Sequence, residues 1–279
     1  MAPIRKLAIL AGGGSLPARI AQAAKAANVP IVLIGLDGFG EADQLGPDIA
    51  GWIGLGEIKK ALGLIGDASH LVFAGKVARP DLKSLKLDSK GLMLMPRIAK
   101  AAAKGDGALL DTVRDFAQEQ GFEILSPADI LGQLESTAGP YGRHAPDATA
   151  LADIAKGVEA ARAIGALDIA QGAVVCEGLV LALEAAEGTD AMLGRISALP
   201  VELRGTPDAR RGVLVKVAKP IQDTRLARPT IGPDPVQAAA KAGLAGIALE
   251  AGAGLVIDRE EAVTLADRLG LFIYGIDLS

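Results

Sequence analysis

Aromatic residues, histidine and cysteine are scarce in this sequence. Of its 279 residues, 3% are aromatic, two are histidines (His70 and His144) and one is a cysteine, Cys176. A single cysteine excludes a disulfide framework within the chain and is typical of a reducing cytosol, and so few ligands make a His/Cys zinc site unexpected. Since half of the residues are apolar and few are aromatic, the core must consist of Ala, Val, Leu and Ile, which suits helices packed on sheets.

An excess of positive charge and long apolar runs are also lacking. The formal net charge is −4, so nucleic acid is not an expected partner. No uninterrupted apolar run reaches the roughly 18 residues of a membrane-spanning helix, and residues 1–6 lack a signal-peptide pattern. We therefore expect a cytoplasmic protein. Contact with a membrane surface stays open, because an acylated ligand needs no spanning segment.

The first half of the sequence alternates between strand-like and helical segments. Strands are predicted at residues 6–11, 30–35, 70–75 and 122–125, and helices at residues 16–27, 56–64, 96–104 and 108–120. This alternation predicts a mostly parallel sheet that is covered by helices on both faces.

The second half begins with two apolar runs around residues 177–178, which predict a β-hairpin. Further strands are predicted at residues 212–217, 245–249, 255–257 and 271–276, and helices at residues 148–164, 190–198, 235–242 and 259–269. Residues 131–147 are rich in Gly, Pro, Ser and Thr and are the best candidate for a domain boundary.

These patterns predict an α/β protein with two domains. The first is a Rossmann-like, nucleotide-binding domain with a parallel sheet over residues 1–133. A linker and connecting helix follow over residues 134–165, and a C-terminal α/β domain with a mixed sheet occupies residues 166–279.

A glycine-rich turn connects the first predicted strand to the first helix. It consists of Gly12, Gly13, Gly14 and Ser15, whose backbone N–H groups could approach a phosphate at the helix N-terminus. Pro17 replaces the third glycine of the G-x-G-x-x-G pattern, but a proline suits the first helical turn. The alternative interpretation is a tight turn without a ligand.

Two basic loops follow predicted strands. Gly75, Lys76 and Arg79 come after the third strand, where open α/β sheets bind ligands. The loop after strand 212–217 carries cations, an amide and a carboxylate, namely Lys216, Lys219, Gln222, Asp223 and Arg225. The cations suit an anionic ligand such as a phosphate, and Asp223 could hold a metal ion or a proton. Solvated loops are the alternative for both.

Three carboxylates, those of Glu184, Glu187 and Asp190, are spaced three residues apart around Gly188. Together they could meet a divalent metal ion. Thr189 or Asp190 is a natural N-cap for the helix that follows. The alternative is one capping residue and two solvated acids.

Four stretches together resemble a known family. They are residues 11–17 (AGGGSLP), 73–80 (FAGKVARP), 168–195 with Glu187-Gly188-Thr189-Asp190, and 219–232 with the pattern Lys-Pro-x-Gln-Asp-x-Arg. The first stretch is weak alone, whereas the combination of the last two is specific. Over nearly its whole length the chain resembles the LpxI-type UDP-2,3-diacylglucosamine pyrophosphatases of lipid A biosynthesis.

The resemblance implies hydrolysis of the diphosphate of UDP-2,3-diacylglucosamine to UMP and lipid X. It implies a divalent metal, usually Mg²⁺, and the cytoplasm of a Gram-negative bacterium, and it is compatible with peripheral contact with the inner membrane and with a homodimer. A non-catalytic binder or carrier of an acylated UDP-sugar is the alternative.

The resemblance also suggests roles for individual residues. Catalysis falls to Lys216, Lys219, Asp223, Arg225, Asp190 and position 227. Metal binding falls to Glu187, Asp190 and Asp223. Binding of the nucleotide and diphosphate falls to Gly12, Gly13, Gly14, Ser15, Gly75, Lys76, Arg79, Gln171, Gly188, Thr189 and Gln222.

One position departs from the family pattern. Ala227 stands where the family carries an aspartate, and an alanine can neither bind a metal ion nor take a proton. Because the rest of the motif is intact, we predict that this chain binds its substrate but turns it over very slowly, as a substrate-trapping variant.

Overall fold

The computed structural model describes residues 3–40, 42–132, 134–220 and 228–278. The chain divides into two compact units, Met1–Gly132 and Gln133–Ser279, and each unit has its own sheet and apolar core. A parallel first sheet and a mixed second sheet confirm the predicted fold class. None of the described helices is long and apolar enough to cross a membrane.

The first unit contains five strands and six helices among its described residues. In chain order they are β1 (Leu7–Ala11), α1 (Leu16–Ala26), β2 (Ile31–Leu36), α2 (Ala42–Leu45), β3 (Ile49–Ile53), α3 (Ile58–Ile65), β4 (His70–Ala74), α4 (Ser89–Ala102), α5 (Asp106–Glu119), β5 (Glu123–Leu125) and α6 (Pro127–Leu131). The strands form a parallel sheet in the order β3-β2-β1-β4-β5. The strand order reverses between β1 and β4, which is where open α/β sheets bind ligands at the carboxyl ends of their strands.

The central strands of this sheet are buried on both faces. Leu7, Ile9 and Leu33 are at most 1% exposed. Strand β1 is in register with both neighbours, so that Leu7 pairs with Ile31 and with His70. A continuous apolar run is what such a doubly covered parallel strand requires, which is why the sequence pattern identified these strands.

In the first unit, α4 differs from the prediction in its bounds, and α2, α6 and β3 have no predicted counterpart. Helix α4 begins at Ser89 rather than at residue 96, because the carboxylate of Asp88 caps it by accepting from the backbone N–H of Gly91 at 2.8 Å, and Pro96 is accommodated inside the helix. Strand β3 has no counterpart in the prediction. Its sequence IAGWI is only partly buried and contains a glycine, so it lacks the apolar run of its neighbours.

The second unit contains the remaining elements. They are β6 (Gly139–Pro140), α7 (Ala148–Ala166), β7 (Gly172–Cys176), β8 (Leu179–Leu183), α8 (Gly188–Ile196), β9 (Val213–Lys216), β10 (Thr230–Ile231), α9 (Pro233–Lys241), β11 (Gly246–Glu250), β12 (Leu255–Val256), α10 (Arg259–Leu269) and β13 (Phe272–Ile276). The main sheet has the order β6-β13-β11-β9-β7-β8, and β10 pairs with β12 separately. Strands β9, β11 and β13 are parallel, whereas β7 is antiparallel to β9 and forms the predicted hairpin with β8.

Helix α7 packs against strands β7 and β9. The side chain of Asp147 caps it by accepting from the backbone N–H of Ala150 at 2.8 Å. The buried carboxylate of Asp153 accepts from the backbone N–H groups of Glu177 and Gly178 at 2.9 and 2.7 Å, which ties the helix to the hairpin turn. The segment predicted as a linker and connecting helix therefore contributes α7 to the packing of the second unit.

Candidate functional site

At the carboxyl edge of the first sheet, two loops are hydrogen-bonded to each other. The backbone N–H of Gly13 donates to the carbonyl oxygen of Lys76 at 2.9 Å, and the N–H of Lys76 donates to that of Gly13 at 2.8 Å. A Cβ atom on Gly12 would lie 2.5 Å from the Lys76 carbonyl oxygen, and one on Gly75, whose φ is +93°, would lie 2.6 Å from the Gly13 carbonyl oxygen. These glycines are therefore needed for the approach of the two loops, whatever ligand they bind.

The first of these loops leads into the N-terminus of α1. Ser15 occupies the N-cap position without a capping hydrogen bond from its side chain, and Pro17 lies in the first turn. Gly14, with a φ of +91°, would have nothing within 4 Å of an added Cβ atom. Backbone N–H groups of a first turn that no side chain caps are suited to an anion.

The side chain of Arg79 is engaged in the packing of helices. Its guanidinium donates to the carbonyl oxygen of Ala102 at 2.7 Å and lies 3.1 Å from the carboxylate of Asp106, so it joins the end of α4 to the start of α5. Lys76 is exposed. Both cations of this loop are exposed, and Arg79 in addition connects two helices.

Three polar side chains are linked by hydrogen bonds at the end of strand β9 in the second unit, and two of them are buried. The ammonium group of Lys216, the last residue of β9, donates to the hydroxyl oxygen of Thr189 at 2.8 Å. The Thr189 hydroxyl donates in turn to the carboxylate of Glu184. Lys216 is 6% exposed and Glu184 is 8% exposed, so a cation and a carboxylate are held in the interior with a hydroxyl between them. Buried charges are stable only when they are paired in this way.

The backbone around this chain is shaped to receive the carboxylate. The N–H of Gln171 donates to the second carboxylate oxygen of Glu184 at 3.4 Å. A Cβ atom on Gly172 would lie 2.8 Å from the same oxygen, so a larger residue at the start of β7 would displace it. Gln171 thus takes part in the site through its backbone.

A buried ion pair lies at Lys219, three residues after Lys216. The ammonium group of Lys219 lies 2.9 Å from the carboxylate of Asp168, and the two side chains are 9% and 8% exposed. Beside it, the carboxylate of Glu250 accepts from the backbone N–H of Ala218 at 2.7 Å. Two lysines at the carboxyl end of one strand are thus fixed, Lys216 by the Thr189 hydroxyl and Lys219 by the Asp168 carboxylate, where an anionic ligand could meet them.

The predicted trio of carboxylates does not form. Glu184 is bound by Thr189, and Glu187 pairs with Arg195, whereas Asp190 is exposed in the first turn of α8. In residues 3–40, 42–132, 134–220 and 228–278, no group of three His, Cys, Asp or Glu side chains could hold a metal ion. The metal site predicted from these three acids is therefore wrong, because hydrogen bonds draw two of them to other partners.

The predicted N-cap is also wrong. Helix α8 begins at Gly188, and the N-cap position is that of Glu187, which makes no capping hydrogen bond from its side chain. Thr189 cannot cap the helix because its hydroxyl is used between Glu184 and Lys216.

Four of the predicted site residues, Gln222, Asp223, Arg225 and Ala227, lie outside the residues that the structure describes. Their assignments stay predictions, including the metal set that contains Asp223.

The pairing of Asp168 with Lys219 escaped sequence reasoning. The two residues are 51 positions apart in the chain, and only the antiparallel pairing of β7 with β9 brings their segments together. The role of Glu184 was also missed, because an acid after a strand is usually solvated and no local pattern distinguishes a buried one.

Comparison with known proteins identifies both halves of the chain. Residues 6–134 match the model of the LpxI N-terminal domain, and residues 137–274 match that of the LpxI C-terminal domain. The chain is 47% identical over 278 residues to UDP-2,3-diacylglucosamine pyrophosphatase LpxI of Caulobacter vibrioides, with 98% of each chain covered. Both family models fit consecutive parts of the sequence and a relative matches from end to end, so the chain belongs to the LpxI family.

Proposed function

We propose that this protein hydrolyses the diphosphate bond of UDP-2,3-diacylglucosamine with one water molecule, giving UMP and lipid X. The observation that carries this proposal is the 47% identity over 98% of the chain to a UDP-2,3-diacylglucosamine pyrophosphatase. The reaction is hydrolysis of a phosphoric anhydride. It takes place in the cytoplasm as a step of lipid A biosynthesis.

In this proposal the second unit supplies the charge that the reaction needs. A diphosphate is anionic and resists attack by water until its charge is offset. Lys216 and Lys219 are buried cations at the end of β9, and we assign them to the oxygen atoms of the diphosphate. Thr189 and Glu184 act as positioning residues, because their hydrogen bonds fix the ammonium group of Lys216.

The first unit binds the UMP part of the substrate in this proposal. The loop of Gly12, Gly13, Gly14 and Ser15 and the loop of Gly75 and Lys76 meet beside the N-terminus of α1. Their backbone N–H groups suit a phosphate or ribose. Gly75 serves mainly to let the loops approach, since its Cβ atom would meet the Gly13 carbonyl oxygen.

A divalent cation, Mg²⁺ by preference, belongs to the proposed reaction. The residues that the structure describes do not provide a complete set of ligands, so no step is assigned to the ion. Asp190 is exposed at the start of α8 and is the described residue that best suits a shared ligand role with Asp223. When bound, the ion would offset the charge of the diphosphate.

Two further properties are part of the proposal. The acyl chains of the substrate require an apolar surface, and a lipid of this kind resides in a bilayer, so we expect peripheral contact with the inner membrane. A homodimer is also expected.

In this proposal, the alanine at position 227 makes the hydrolysis slow. Loss of an acid that acts mainly in the transition state lowers kcat and leaves substrate binding largely in place. We expect Ala227→Asp to raise the rate of UMP release by about 10²–10⁴-fold, the usual contribution of a general base.

The experiment is an assay of UMP release from UDP-2,3-diacylglucosamine with and without Mg²⁺. It compares the chain with Ala227→Asp and with Ala209→Asp, which adds the same charge at an exposed position. The Ala209→Asp protein should behave like the parent chain. Equal rates for all three proteins would show that position 227 is not catalytic. Absence of UMP release from Ala227→Asp under every condition would refute the proposed function.

A further inference from the structure

Positive charge is concentrated around helix α4, although the whole chain is acidic. Residues 83–104 contain six Lys or Arg and one Asp, a local charge of +5 in a chain with a net charge of −4. The one acid, Asp88, is the N-cap of α4 and accepts backbone N–H groups from Gly91 and Lys59 at 2.8 and 2.6 Å. Its negative charge is therefore turned toward the backbone, and the cations around it determine the charge of the surface.

The same helix exposes apolar side chains. Met93 is 80% exposed, the highest value among the large apolar residues that the structure describes, and Leu92 beside it is 65% exposed. Pro96 is exposed beside them, one turn further along, whereas Leu94 and Ala101 on the opposite side are buried. Helix α4 thus has one apolar face in the interior and a second in solvent. We call the exposed face of Leu92, Met93 and Pro96, together with the Lys and Arg residues of positions 83–104, the α4 surface.

The cations of the α4 surface are largely unneutralised. Arg97 pairs with Glu119 of α5 at 2.8 Å. Two other acids of α5, Asp111 and Asp115, pair with Arg114 of the same helix. Within the described part of the chain, no ion pair involves the exposed side chains of Lys83, Lys86, Lys100 and Lys104. The neighbouring acidic helix therefore offsets little of this charge.

A surface that combines exposed Leu and Met side chains with several lysines matches the interface of an anionic bilayer. Apolar side chains enter the boundary between headgroups and acyl chains while lysines contact anionic headgroups. A second copy of this chain is a poorer match, because a copy of the same surface would bring like charges together.

We propose that the α4 surface docks the protein on an anionic lipid bilayer, with Leu92 and Met93 inserted between the headgroups and Lys100 and Lys104 facing the phosphates. This inference rests on the proposed membrane contact and assigns it to a particular surface. Its test measures binding alone, so it can succeed or fail independently of hydrolysis.

The experiment is flotation of the full chain with two kinds of vesicle, phosphatidylglycerol mixed with phosphatidylethanolamine and phosphatidylcholine alone. We expect binding to the vesicles with phosphatidylglycerol at low salt. Binding should weaken at about 1 M NaCl, where the Debye length falls to about 3 Å. Lys100→Glu with Lys104→Glu should weaken binding at least about 25-fold, since each cation near an anionic surface contributes about fivefold. Leu92→Ser with Met93→Ser should weaken it about tenfold at both salt concentrations.

Matched controls carry the same changes elsewhere on the surface. Val201→Ser with Leu203→Ser removes two exposed apolar side chains, and Lys156→Glu with Lys241→Glu reverses two exposed lysines, on α7 and α9. These proteins should bind vesicles within about twofold of the parent chain. Circular dichroism melting curves check that every variant is folded, because the exposed positions should tolerate the changes.

Three outcomes would overturn the inference. They are absence of binding to phosphatidylglycerol vesicles, equal weakening by the control variants, and a concentration-dependent dimer in sedimentation that the Leu92→Ser and Met93→Ser changes abolish while vesicle binding persists. The UMP-release assay on substrate dispersed in detergent separates the two proposals. If α4 variants made in the Ala227→Asp background retain that activity but lose vesicle binding, both proposals are supported. If neither they nor the Ala227→Asp protein releases UMP, the proposed function fails while the binding result still stands.

Discussion

The carboxyl edge of the first sheet and the carboxyl end of β9 in the second sheet are built in opposite ways. In the first unit, two loops meet through backbone hydrogen bonds between Gly13 and Lys76, and glycines allow the approach. In the second unit, buried side chains meet, with Lys216 linked through Thr189 to Glu184. A backbone edge offers N–H groups and close approach, whereas a side-chain edge offers fixed charge. The first suits recognition of a nucleotide, and the second suits stabilisation of a reacting diphosphate.

Replacement of Lys216 should have the largest effect on the stability and activity of the protein. In Lys216→Met, the buried carboxylate of Glu184 keeps its hydrogen bonds but loses its cation, and we expect a cost of about 3 kcal/mol in the free energy of unfolding. Activity in the Ala227→Asp background should fall at least about 100-fold. Urea unfolding and UMP release measure the two effects.

Two further proteins sharpen this prediction. Lys216→Met combined with Glu184→Met should recover stability but not activity, because no unpaired charge remains in the interior. Lys241→Met, which removes an exposed lysine from α9, should leave both quantities unchanged. An equal loss of stability in Lys241→Met and Lys216→Met would contradict the buried-charge account.

In the first unit, a single added methyl group should disrupt the contact between the two loops. In Gly12→Ala, the new Cβ atom would lie 2.5 Å from the Lys76 carbonyl oxygen, and the loops must separate at a cost of about 1–3 kcal/mol. UMP affinity should fall with it. Gly63→Ala in α3 is the matched control, because nothing lies within 4 Å of its added Cβ atom. The control should gain up to about 1 kcal/mol through better helix propensity, and a loss of equal size in both would argue against loop contact as the cause.

The hydroxyl between the two charges should have a smaller effect. Thr189→Val removes the hydrogen bonds to Glu184 and Lys216 while keeping the shape of the side chain. We expect a cost of about 1–3 kcal/mol and about tenfold lower kcat with little change in KM. Thr189→Ser retains the hydroxyl and should restore most of the activity. If Thr189→Val and Thr189→Ser were equally active, the hydroxyl would have no positioning role.

We expect the smallest effect for Asp88, whose carboxylate in the first unit accepts hydrogen bonds from backbone N–H groups. Burial raises the pKa of this carboxyl, but hydrogen bonds from the backbone N–H groups of Gly91, Lys60 and Lys59 outweigh burial and hold the pKa below its usual value. The resulting stabilisation is fully present above the unfolded-state pKa and is lost as pH falls through the lower, folded-state pKa. Asp88→Asn should remove this pH dependence and cost about 0.5 kcal/mol near neutral pH. Urea unfolding midpoints between pH 7 and about pH 3 measure the difference. Parallel curves for the two proteins would contradict it.

Sequence reasoning found what local pattern determines. The buried strands β1, β2, β4 and β9 are continuous apolar runs, and α10 shows regular helical spacing from Arg259 to Leu269, so both kinds of element were predictable. The hairpin of β7 and β8 was predictable from the turn at Glu177 and Gly178, both of which have positive φ.

Contacts between distant segments were not predictable from the sequence. The acids at Glu184 and Glu187 have metal-like spacing, but the first is drawn to Thr189 and the second to Arg195. The contacts of Arg79 with Ala102 and Asp106 were likewise not foreseen, while its predicted role in ligand binding stays a prediction. In each case a tertiary partner determines what the side chain does, and one sequence does not reveal that partner.

The most direct test of this account is the kcat for UMP release from UDP-2,3-diacylglucosamine by Lys216→Met in the Ala227→Asp background, measured together with its affinity for UMP. We predict that kcat falls at least about 100-fold while the affinity for UMP stays that of the Ala227→Asp protein, because we propose that the first unit binds the nucleotide. A retained kcat, or a loss of UMP affinity that explains the whole effect, would contradict the assignment of the chemistry to the buried charges of the second unit.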